Sequence, residues 1–461
     1  MANIEYFEKY KKIYMIGIGG ISMSGIAEIL KNWGFEVSGS DITDSEIIKN
    51  LRNTGINITI GHNVDALKNA ELVVYTAAVK QNDPELLAAH ENNIPTIERK
   101  DLVGELTKAF SESICISGTH GKTTTSSMIS VCFLNALLDP TIQVGAILKK
   151  INGNYKVGNS EYFILEACEY SESFLKFFPK TEVILNIDND HLDYFKTFEN
   201  IKNAFIKYVK LLPDDGLLVL NGDDNNCLDL VNYTEATILT YGINNVHSNF
   251  VAKNINFDEN GFARFDVYFN NEFYGHIELS IAGRHNVLNA LACISICNYY
   301  GINFDIVKNS LLEFTGADRR LEFKGKFNNV MVYDDYGHHP TEIIATANAI
   351  KNKNFNESWV IFQPHTYSRT KNLLDDFVNA LINFDHIIVT DIYAAREINT
   401  FNISSKDLVD KINLTYKDKN ALYIQDFNDI VNYIRNNVKD NDLVLTLGAG
   451  TVTEIGPMIL K

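Results

Sequence analysis

The sequence lacks the features that mark three large classes of protein. Its six cysteines form no CxxC pair, which argues against a disulfide framework or a zinc knuckle and favours a reducing compartment. Basic residues are in deficit, with 41 Lys and Arg against 58 Asp and Glu and a net charge of −17, which argues against general nucleic-acid binding. No helical stretch approaches the roughly 20 apolar residues that cross a bilayer. We therefore expect a cytoplasmic protein without a nucleic-acid or membrane partner.

Long linkers, low-complexity tracts and clear internal repeats are also missing. The apolar run at 13–21 superficially resembles a signal peptide, but Gly17, Gly19 and Gly20 interrupt it, so a strand entering a glycine-rich turn explains it better. Hydrophobic residues make up 46 % of the 461 residues. That is enough apolar material for the cores of about two to four domains.

Apolar, β-branched runs alternate with helical patterns almost from end to end. Runs such as 12–17 and 36–40 read as buried strands, with amphipathic stretches between them. This alternation is typical of α/β proteins, in which helices cover both faces of parallel sheets. The pattern changes at about 237–281, where we expect an antiparallel addition. The predicted domains are 1–108, 109–322 and 323–461.

The strongest local signal is a glycine-rich turn between a β-branched strand and a helix. Gly118 and Gly121 bound the turn, and Lys122 and Thr123 follow it, although Ile116 stands where the standard P-loop has its first glycine. Backbone N–H groups at a helix start cradle phosphate oxygens, so the turn predicts an ATP site. Its members are Gly118, Thr119, His120, Gly121, Lys122, Thr123 and Thr124.

Two acidic segments after the P-loop predict a magnesium–phosphate site. Glu166 ends one apolar strand, and the segment 186–194, which contains His191, follows another. Mg²⁺ prefers oxygen ligands beside phosphates, and the Thr123 hydroxyl would be another of them. Turn formation or helix capping remains the alternative for the acids, and a structural role remains open for His191.

A second glycine-rich turn follows the first predicted strand. Gly17, Gly19 and Gly20 precede a helical pattern, and a strand about 20 residues later ends at Ser40 and Asp41. The arrangement suggests a Rossmann nucleotide site, but a full GxGxxG pattern is absent. A nucleotide or nucleotide-sugar is therefore expected without NAD being specified, and a tight turn that binds nothing is the alternative.

Taken together, these motifs resemble the Mur ligases over the whole chain. The P-loop, the Glu166 strand end, the segment 186–194 and Gly283–Ala290 are similar to the ATPase signatures of that family. Mur ligases are ATP-dependent amide-bond ligases of peptidoglycan precursor synthesis. The resemblance implies a Rossmann-like N-terminal domain, a central P-loop ATPase domain with a mixed sheet, and a Rossmann-like C-terminal domain.

Further segments narrow the resemblance to the members that join L-alanine to UDP-N-acetylmuramate. They are 17–27, 39–41, 76–78, 334–342, 363–370 and 391–397. The implied substrates are UDP-N-acetylmuramate and L-alanine, with ATP and Mg²⁺ as cofactors and an acyl-phosphate as intermediate. A monomer or a homodimer is expected.

The resemblance also implies a role for each matching residue. The UDP-sugar contacts would be Gly17, Gly19, Gly20, Ser40, Asp41, Thr76, Ala77 and Ala78. Further ATP contacts would be His285, Asn289, Arg319 and Tyr336. The amino-acid site would contain His338, His365, Arg369 and Arg396. The metal ligands would be Thr123, Glu166 and His191, and the catalytic groups Lys122, Glu166, His191 and His338.

Other interpretations of the same residues stay open. Asn289 is also compatible with a polar position on a helix, Arg319 with a solvated charge, and His338 with a helix entry before Pro340. At the level of function, the alternatives are a ligase that adds a whole tripeptide to UDP-N-acetylmuramate, an NAD-dependent oxidoreductase, and a P-loop protein without catalysis. A folylpolyglutamate synthase fits less well, because the first domain predicts a nucleotide-sugar site.

Overall fold

The computed structural model describes residues 5–351, 353–395 and 397–461, excluding the side chain of Asp193. These residues form two compact units, each built from separated stretches of chain. The first unit contains the described residues up to Ile187, then Glu199–Tyr241 and Ala292–Ile306. The second unit contains Asp188–Phe198, Gly242–Leu291 and Val307–Lys461. Three groups of strands and their helices make up this α/β architecture, as the alternating sequence pattern predicts.

The N-terminal elements of the first unit form a parallel five-stranded sheet. They are β1 (Lys12–Ile16), α1 (Ile21–Asn32), β2 (Glu36–Asp41), α2 (Glu46–Asn53), β3 (Asn57–Ile60), β4 (Leu72–Tyr75), α3 (Pro84–Glu91), β5 (Thr96–Glu98) and α4 (Arg99–Ala109). The strand order is β3-β2-β1-β4-β5. Because the order reverses direction beside β1, the glycine turn after β1 opens onto a crevice of the type that binds nucleotides.

Local sequence explains where these helices begin. Ser45 accepts a hydrogen bond from the N–H of Ile48 and so caps α2. Asp83 caps α3, and Pro84 occupies its first turn, where a missing N–H costs nothing. Apolar side chains of β1 and β4 then pack against α3, with Tyr14 and Val73 buried in the same cluster.

The central stretch of the chain contributes elements to both units. They are β6 (Glu112–Ser117), α5 (Lys122–Asn135), β7 (Thr141–Leu148), β8 (Gly153–Lys156), β9 (Tyr162–Glu166), β10 (Thr181–Ile184), α6 (Leu192–Phe195), α7 (Phe198–Val209), β11 (Leu217–Asn221), α8 (Asn225–Leu228), β12 (Thr237–Gly242), β13 (Phe250–Phe257), β14 (Phe262–Phe269), β15 (Glu272–Ala282), α9 (His285–Tyr299) and α10 (Phe304–Glu313).

In the first unit the central strands lie in the order β12-β11-β10-β6-β9-β7-β8. All adjacent pairs are parallel except β7 and β8, which form an antiparallel hairpin. Strand β6 therefore lies between β10 and β9. The P-loop that follows β6 and the residues that follow β9 share the carboxyl edge of the sheet, where α/β proteins bind their ligands.

One prediction about this region is wrong in its starting point. The antiparallel addition was expected from about 237, but β12 pairs in parallel with β11. The antiparallel strands are β13, β14 and β15, which lie in the second unit. Alternating polar and apolar residues indicate a strand with one covered face, but they do not show whether that strand is parallel or antiparallel to its neighbour. The crossover through α8, between β11 and β12, is what makes the pairing parallel.

The C-terminal elements form the six-stranded sheet of the second unit. They are β16 (Glu322–Phe327), β17 (Val330–Asp335), α11 (Pro340–Ile350), β18 (Ser358–Phe362), α12 (Tyr367–Asn372), α13 (Leu374–Leu381), β19 (His386–Val389), α14 (Ser405–Thr415), β20 (Leu422–Tyr423), α15 (Phe427–Asn437), β21 (Leu443–Leu447) and α16 (Ile455–Leu460). The order is β16-β17-β21-β18-β19-β20, with only β16 antiparallel. Apolar clusters cover both faces, as a Rossmann-like sheet requires.

In the part of the chain that the structure describes, no helix has both the length and the apolar character needed to cross a membrane. All six cysteines are free thiols in the structure.

Candidate active site

The P-loop has the backbone shape that its glycines predict. Gly118 has a φ of +127° and Gly121 a φ of +88°, values that L-side chains rarely adopt. A Cβ on Gly118 would also lie 3.1 Å from the backbone N and O of Asn186, so the segment that follows β10 closely approaches the loop. The loop then opens directly into α5, and the N–H groups at the start of a helix are suited to binding an anion.

Asn186, in the segment that follows the neighbouring strand β10, holds the P-loop. Its carbonyl oxygen accepts from Thr119 N at 3.1 Å, its Oδ1 accepts from His120 N at 2.8 Å, and its Nδ2 donates to His120 O at 3.0 Å. These bonds use backbone groups of Thr119 and His120 that were predicted to face ATP. The two residues therefore form the frame of the loop, and Asn186 is a site residue that the sequence assignment omitted.

Lys122 is held by an acidic partner inside the first unit. Its Nζ lies 3.0 Å from Glu169 Oε2 and donates to Thr119 O at 3.1 Å. The Glu169 side chain is only 2 % exposed. Burial acts to lower the pKa of Lys122, but the nearby Glu169 outweighs it and raises that pKa to about 12. Lys122 is therefore fully charged at neutral pH.

Thr123 and Glu166 form a pair of oxygens suited to Mg²⁺. Thr123 Oγ1 donates to Glu166 Oε2 at 3.1 Å. Oxygens on adjacent corners of an octahedron about 2.1 Å from Mg²⁺ lie roughly 3 Å apart, so the observed spacing fits that ion. Ser126 Oγ also donates to Glu166 Oε1, at 3.2 Å, and thereby orients the carboxylate.

Gly145, in strand β7, covers this oxygen pair closely. Its N–H donates to Glu166 Oε1. A Cβ at this position would lie 2.8 Å from Glu166 Oε2 and 2.9 Å from Thr123 Oγ1. Only glycine therefore allows the strand to lie against the oxygen pair without displacing it.

The N-terminal glycine turn brings together the residues predicted for the UDP-sugar. Gly17 has a φ of +76°, and its N–H donates to Ser40 O at 2.8 Å. The N–H of Gly19 donates to Asp41 Oδ2 at 2.8 Å. On the other side of β1, a Cβ on Gly17 would lie 3.0 Å from Thr76 Cγ2. The glycine turn, the end of β2 and the turn after β4 thus meet at one edge of the sheet.

The remaining residues of this group have internal roles as well. Gly20 N donates to Gly17 O at 3.2 Å, and Ala78 N donates to Thr76 Oγ1 at 3.0 Å. The turn of 76–78 is partly exposed, and Ala77 lies within it. The Ser40 hydroxyl donates inward to Glu85 at 2.6 Å, so Ser40 shapes the turn through its carbonyl oxygen.

In the second unit, a buried ion pair joins the segment 188–191 to α12. Arg369 Nη2 lies 2.9 Å from Asp190 Oδ1, and both side chains are about nine-tenths buried. Burial acts to raise the pKa of Asp190, but Arg369 outweighs it and holds that pKa well below its usual range. The Arg369 Nη1 is also 2.9 Å from His365 Nδ1. His191 follows Asp190 with a φ of +55°, and its Nε2 is 3.7 Å from Asp190 Oδ2.

The start of α11 holds the same segment at two further points. His339 Nε2 lies 3.2 Å from Asn189 O, and Thr341 Oγ1 donates to Asp188 Oδ2 at 2.8 Å. His339 caps the helix in a reciprocal arrangement with Glu342, as a helix entry before Pro340 predicts.

His338 and His365 form a pair of neutral imidazoles beside Arg369. Their ring centres lie 5.3 Å apart. Burial lowers the pKa of His338 to about 4, and burial with the nearby His338 and Arg369 lowers that of His365 to about 3. His338 Nδ1 is 3.1 Å from Tyr336 O, which can only accept, so Nδ1 carries the proton and Nε2 is the basic nitrogen.

Arg319 and Tyr336 lie side by side in the second unit. The Arg319 guanidinium is 4.9 Å from the Tyr336 ring centre, and Arg320 is 5.3 Å from it. Arg319 is also fixed by Asp334, whose Oδ2 lies 3.3 Å from Nε. The interpretation of Arg319 as a solvated surface charge does not fit these contacts. Together the three side chains offer an aromatic face flanked by positive charge.

The start of α9 contains the last two predicted ATP contacts. His285 is exposed, and Gly283 beneath it has a φ of +105°. Asn289 is buried and donates to Asn286 Oδ1 at 2.9 Å, so it takes part in a small hydrogen-bond network rather than standing alone on the helix. Arg396, predicted for the amino-acid site, lies outside the described residues.

Sequence reasoning missed several residues that the structure brings to the sites. Glu169 and Asn186 lie within segments that were recognised, but nothing in their spacing indicates that they contact Lys122 and the P-loop backbone. Gly145 and Gln143 lie on β7, which carries no recognised motif. Such contacts depend on strand order, which a single sequence does not reveal.

The P-loop, the charged lysine and the hydroxyl–carboxylate pair define an enzyme that uses a nucleoside triphosphate. Comparison with known families agrees. The Mur ligase family catalytic domain matches residues 12–111, the Mur ligase middle domain 116–297, and the Mur ligase glutamate ligase domain 319–450. The chain belongs to the Mur ligase family and is an ATP-dependent ligase.

Individual relatives are similar over almost their whole length. A UDP-N-acetylmuramate–L-alanine ligase of Acetivibrio thermocellus is 49 % identical over 453 residues, covering 98 % of this chain and 96 % of that protein. The crystal structure of a UDP-N-acetylmuramate–alanine ligase from Thermotoga maritima matches with a TM-score of 0.82 and 29 % identity, covering 97 % of this chain and 98 % of that chain. A murein peptide ligase of Psychrobacter arcticus shares the fold, with a TM-score of 0.73, 23 % identity and 98 % of both chains covered.

Proposed function

We propose that this ligase joins L-alanine to the lactyl carboxylate of UDP-N-acetylmuramate, with conversion of ATP to ADP and phosphate, in peptidoglycan precursor synthesis. The observation that carries the proposal is the 49 % identity to a UDP-N-acetylmuramate–L-alanine ligase over 98 % of the chain. The spacing of Thr123 and Glu166 and the charge of Lys122 supply the chemistry that such a reaction needs.

A carboxylate resists attack by an amine because its negative charge repels the nucleophile. Phosphorylation of the lactyl carboxylate by ATP removes that obstacle and gives an acyl-phosphate, from which the amine of L-alanine displaces phosphate. Lys122 stabilises charge on the transferring phosphoryl group, and the P-loop N–H groups orient it. Thr123 and Glu166 would hold Mg²⁺, which neutralises phosphate charge when bound, and His191 remains a predicted third ligand.

The second unit supplies the proposed groups for the amine. Attack requires a neutral amine, so a base must take a proton, and His338 Nε2 is proposed to accept it, because a pKa of about 4 leaves that nitrogen unprotonated at pH 7. His365, Arg369 and Arg396 are proposed to bind the carboxylate and side chain of L-alanine. Tyr336, Arg319, His285 and Asn289 are proposed to contact ATP.

The N-terminal sheet supplies the proposed UDP-sugar site. N–H groups at the start of α1 and a turn built on Gly17, Gly19 and Gly20 suit a diphosphate. Asp41 and the turn at 76–78 lie at the same strand ends and are proposed to complete the site.

The phosphate released from ATP tests the proposal. The full chain is incubated with ATP, Mg²⁺ and UDP-N-acetylmuramate, and L-alanine, glycine, L-serine and the tripeptide are compared as acceptors. Release that requires both UDP-N-acetylmuramate and L-alanine supports it. Release with the tripeptide alone would assign the chain to the tripeptide-adding class. The absence of phosphate release with every acceptor would contradict the alanine-ligase assignment.

Three further features of the protein are proposals of the same kind. We place the enzyme in the cytoplasm, where ATP and nucleotide-sugars are available. A monomer or homodimer is proposed as the working form. The proposed domain boundaries near 108 and 322 lie close to the end of the first matched range, at 111, and to the start of the third, at 319.

A further inference from the structure

We infer that the buried carboxylate of Glu85 is a positioning residue that sets the shape of the diphosphate-binding glycine turn by acting through Ser40. The inference rests on the proposed function, because it assigns Glu85 to the UDP half of that substrate. Glu85 lies near the start of α3 and is only 1 % exposed. No sequence motif marked it as a site residue.

Both oxygens of Glu85 are engaged by donors from different strands. Its Oε1 accepts from Tyr14 OH at 2.6 Å and from Asn63 N at 2.9 Å. Its Oε2 accepts from Ser40 Oγ at 2.6 Å, and His62 Nδ1 lies 3.5 Å from the same oxygen. These donors come from β1, from the end of β2 and from the segment after β3, which are neighbours in the sheet. One side chain thus holds three adjacent strands at fixed relative positions.

Ser40 transmits this restraint to the glycine turn. Its carbonyl oxygen accepts from Gly17 N at 2.8 Å and from Ile18 N at 3.1 Å. Asp41, the next residue, accepts from Gly19 N at 2.8 Å. Ser40 is 2 % exposed, so water has little access to replace Glu85 as its partner. A shift of Ser40 would therefore move three N–H groups of the turn together.

The donor set makes a carboxylate specifically suited to this position. Tyr14, Ser40 and Asn63 all donate, and a carboxylate is the side chain that only accepts. Burial and the bond to Glu85 raise the pKa of Tyr14, which keeps its phenol protonated and able to donate. Glutamine has the same shape, but its NH₂ group would face one of these donors. Glu85→Gln therefore removes a restraint with little change in volume.

The experiment separates positioning from a general contribution to folding. The full-length variants are Glu85→Gln, Ser40→Ala and the double variant. Glu105→Gln is the matched control, because Glu105 is an α4 glutamate whose partner is Lys108 on the same helix, at 2.9 Å. For each protein, kcat and the KM for each of the three substrates are measured. The KM for UDP-N-acetylmuramate should rise about tenfold in Glu85→Gln, as expected for one lost positioned hydrogen bond.

A purely structural role would give a different pattern. Positioning predicts an unchanged kcat and an unchanged KM for ATP. The KM for UDP-N-acetylmuramate in the double variant should be no higher than in the more affected single variant, because both changes remove the same hydrogen bond between Glu85 and Ser40. Equal increases in the KM for ATP, an unchanged KM for UDP-N-acetylmuramate, or additive effects would overturn the inference. The control should match the wild type.

Two further measurements keep the outcome decisive. If Glu85→Gln does not fold, Ser40→Ala alone should reproduce the rise in KM, and an unchanged KM there would overturn the inference. If the wild type has no ligase activity, the proposed function fails, and calorimetric titration of UDP-N-acetylmuramate into the same variants then gives the affinity change directly. Loss of affinity in Glu85→Gln but not in Glu105→Gln would still support the role of Glu85.

Discussion

Gln143 Nε2 lies 2.7 Å from Ser22 Oγ, so strand β7 of the central sheet contacts helix α1 of the N-terminal sheet within the first unit. Two residues further along the strand, the N–H of Gly145 donates to Glu166. A single extended segment therefore links the helix that follows the glycine turn to Glu166, one of the two proposed Mg²⁺ ligands. Such a link can set the orientation of the lactyl carboxylate relative to the γ-phosphate, which in-line transfer requires.

Replacing Gln143 should therefore reduce turnover more than binding. In Gln143→Leu the bond to Ser22 is lost, and we expect kcat to fall about tenfold, because small misplacements of reacting groups are costly. The KM values for ATP and UDP-N-acetylmuramate should change little. Asn154→Ala is the control, since it removes an exposed bond from β8 to Ile21 O at the start of the same helix. An equal loss in both variants would indicate loosening of the hairpin instead.

Lys122 should matter for turnover and not for the UDP-sugar. Lys122→Ala removes the charge that lies beside the P-loop, and we expect kcat to fall by about 10²–10³, the usual cost of losing one stabilising donor. Affinity for UDP-N-acetylmuramate should be retained, because the glycine turn is a separate site. Steady-state kinetics and calorimetric titration measure the two effects. Lys108→Ala, on the exposed surface of α4, is the control, and an equal loss of UDP-sugar affinity in Lys122→Ala would contradict the assignment.

Gly145→Ala should displace the Thr123 and Glu166 oxygens without replacing either residue. The new Cβ would lie 2.8 Å from Glu166 Oε2 and 2.9 Å from Thr123 Oγ1, so these oxygens must move apart. We expect the Mg²⁺ concentration for half-maximal activity to rise about tenfold, a cost near 1.4 kcal/mol. Gly153→Ala, on the same hairpin, is the control, because its nearest contacts would be 3.7 and 3.8 Å away. An unchanged Mg²⁺ requirement in Gly145→Ala would argue against this metal site.

The sequence predicts most clearly those features that are local along the chain. The P-loop has its own glycines, strand and helix within 112–135, and the structure reproduces each of them. The capped start of α11 is equally local. The hairpin of β7 and β8 was not predicted. Its residues show neither a clear alternation of polar and apolar side chains nor a two-residue turn signal that would distinguish it from a loop.

Contacts between distant segments could not be predicted in the same way. Glu169 pairs with Lys122 across 47 residues, and Asp190 pairs with Arg369 across 179. Acidic and basic residues are abundant in the chain, so composition does not select these pairs. Burial selects them, because an unpaired charge in those positions would be strongly unfavourable. That burial becomes visible only after the strand order is known.

The neutral histidines of the second unit should make stability depend on pH in a defined window. Because the pKa of His338 falls to about 4 on folding, the unfolded chain binds more protons than the native chain between that value and about 6.5. The contribution of His338 to the free energy of unfolding should therefore fall as the pH decreases from about 6.5 to 4, while buried Asp335, whose pKa is raised to about 6 chiefly by burial, contributes in the opposite direction. His365, with a pKa of about 3, adds to the same loss and extends it to lower pH. Asp190, whose pKa is lowered, contributes separately below about pH 4.

Thermal unfolding measured from pH 7.5 to 4.5 checks this dependence. As the pH falls from 6.5 to 4.5, the Tm of the wild type should decrease relative to that of His338→Gln, because a glutamine has no proton to take up on unfolding. His247→Gln is the control, since the His247 side chain is exposed and its change should leave the slope as it is. If His338→Gln keeps the wild-type slope, the lowered pKa of His338 is wrong. A His338 with the ordinary pKa of about 6.5 would still be mostly neutral at pH 7, so its proposed role as the base for the amine would stand.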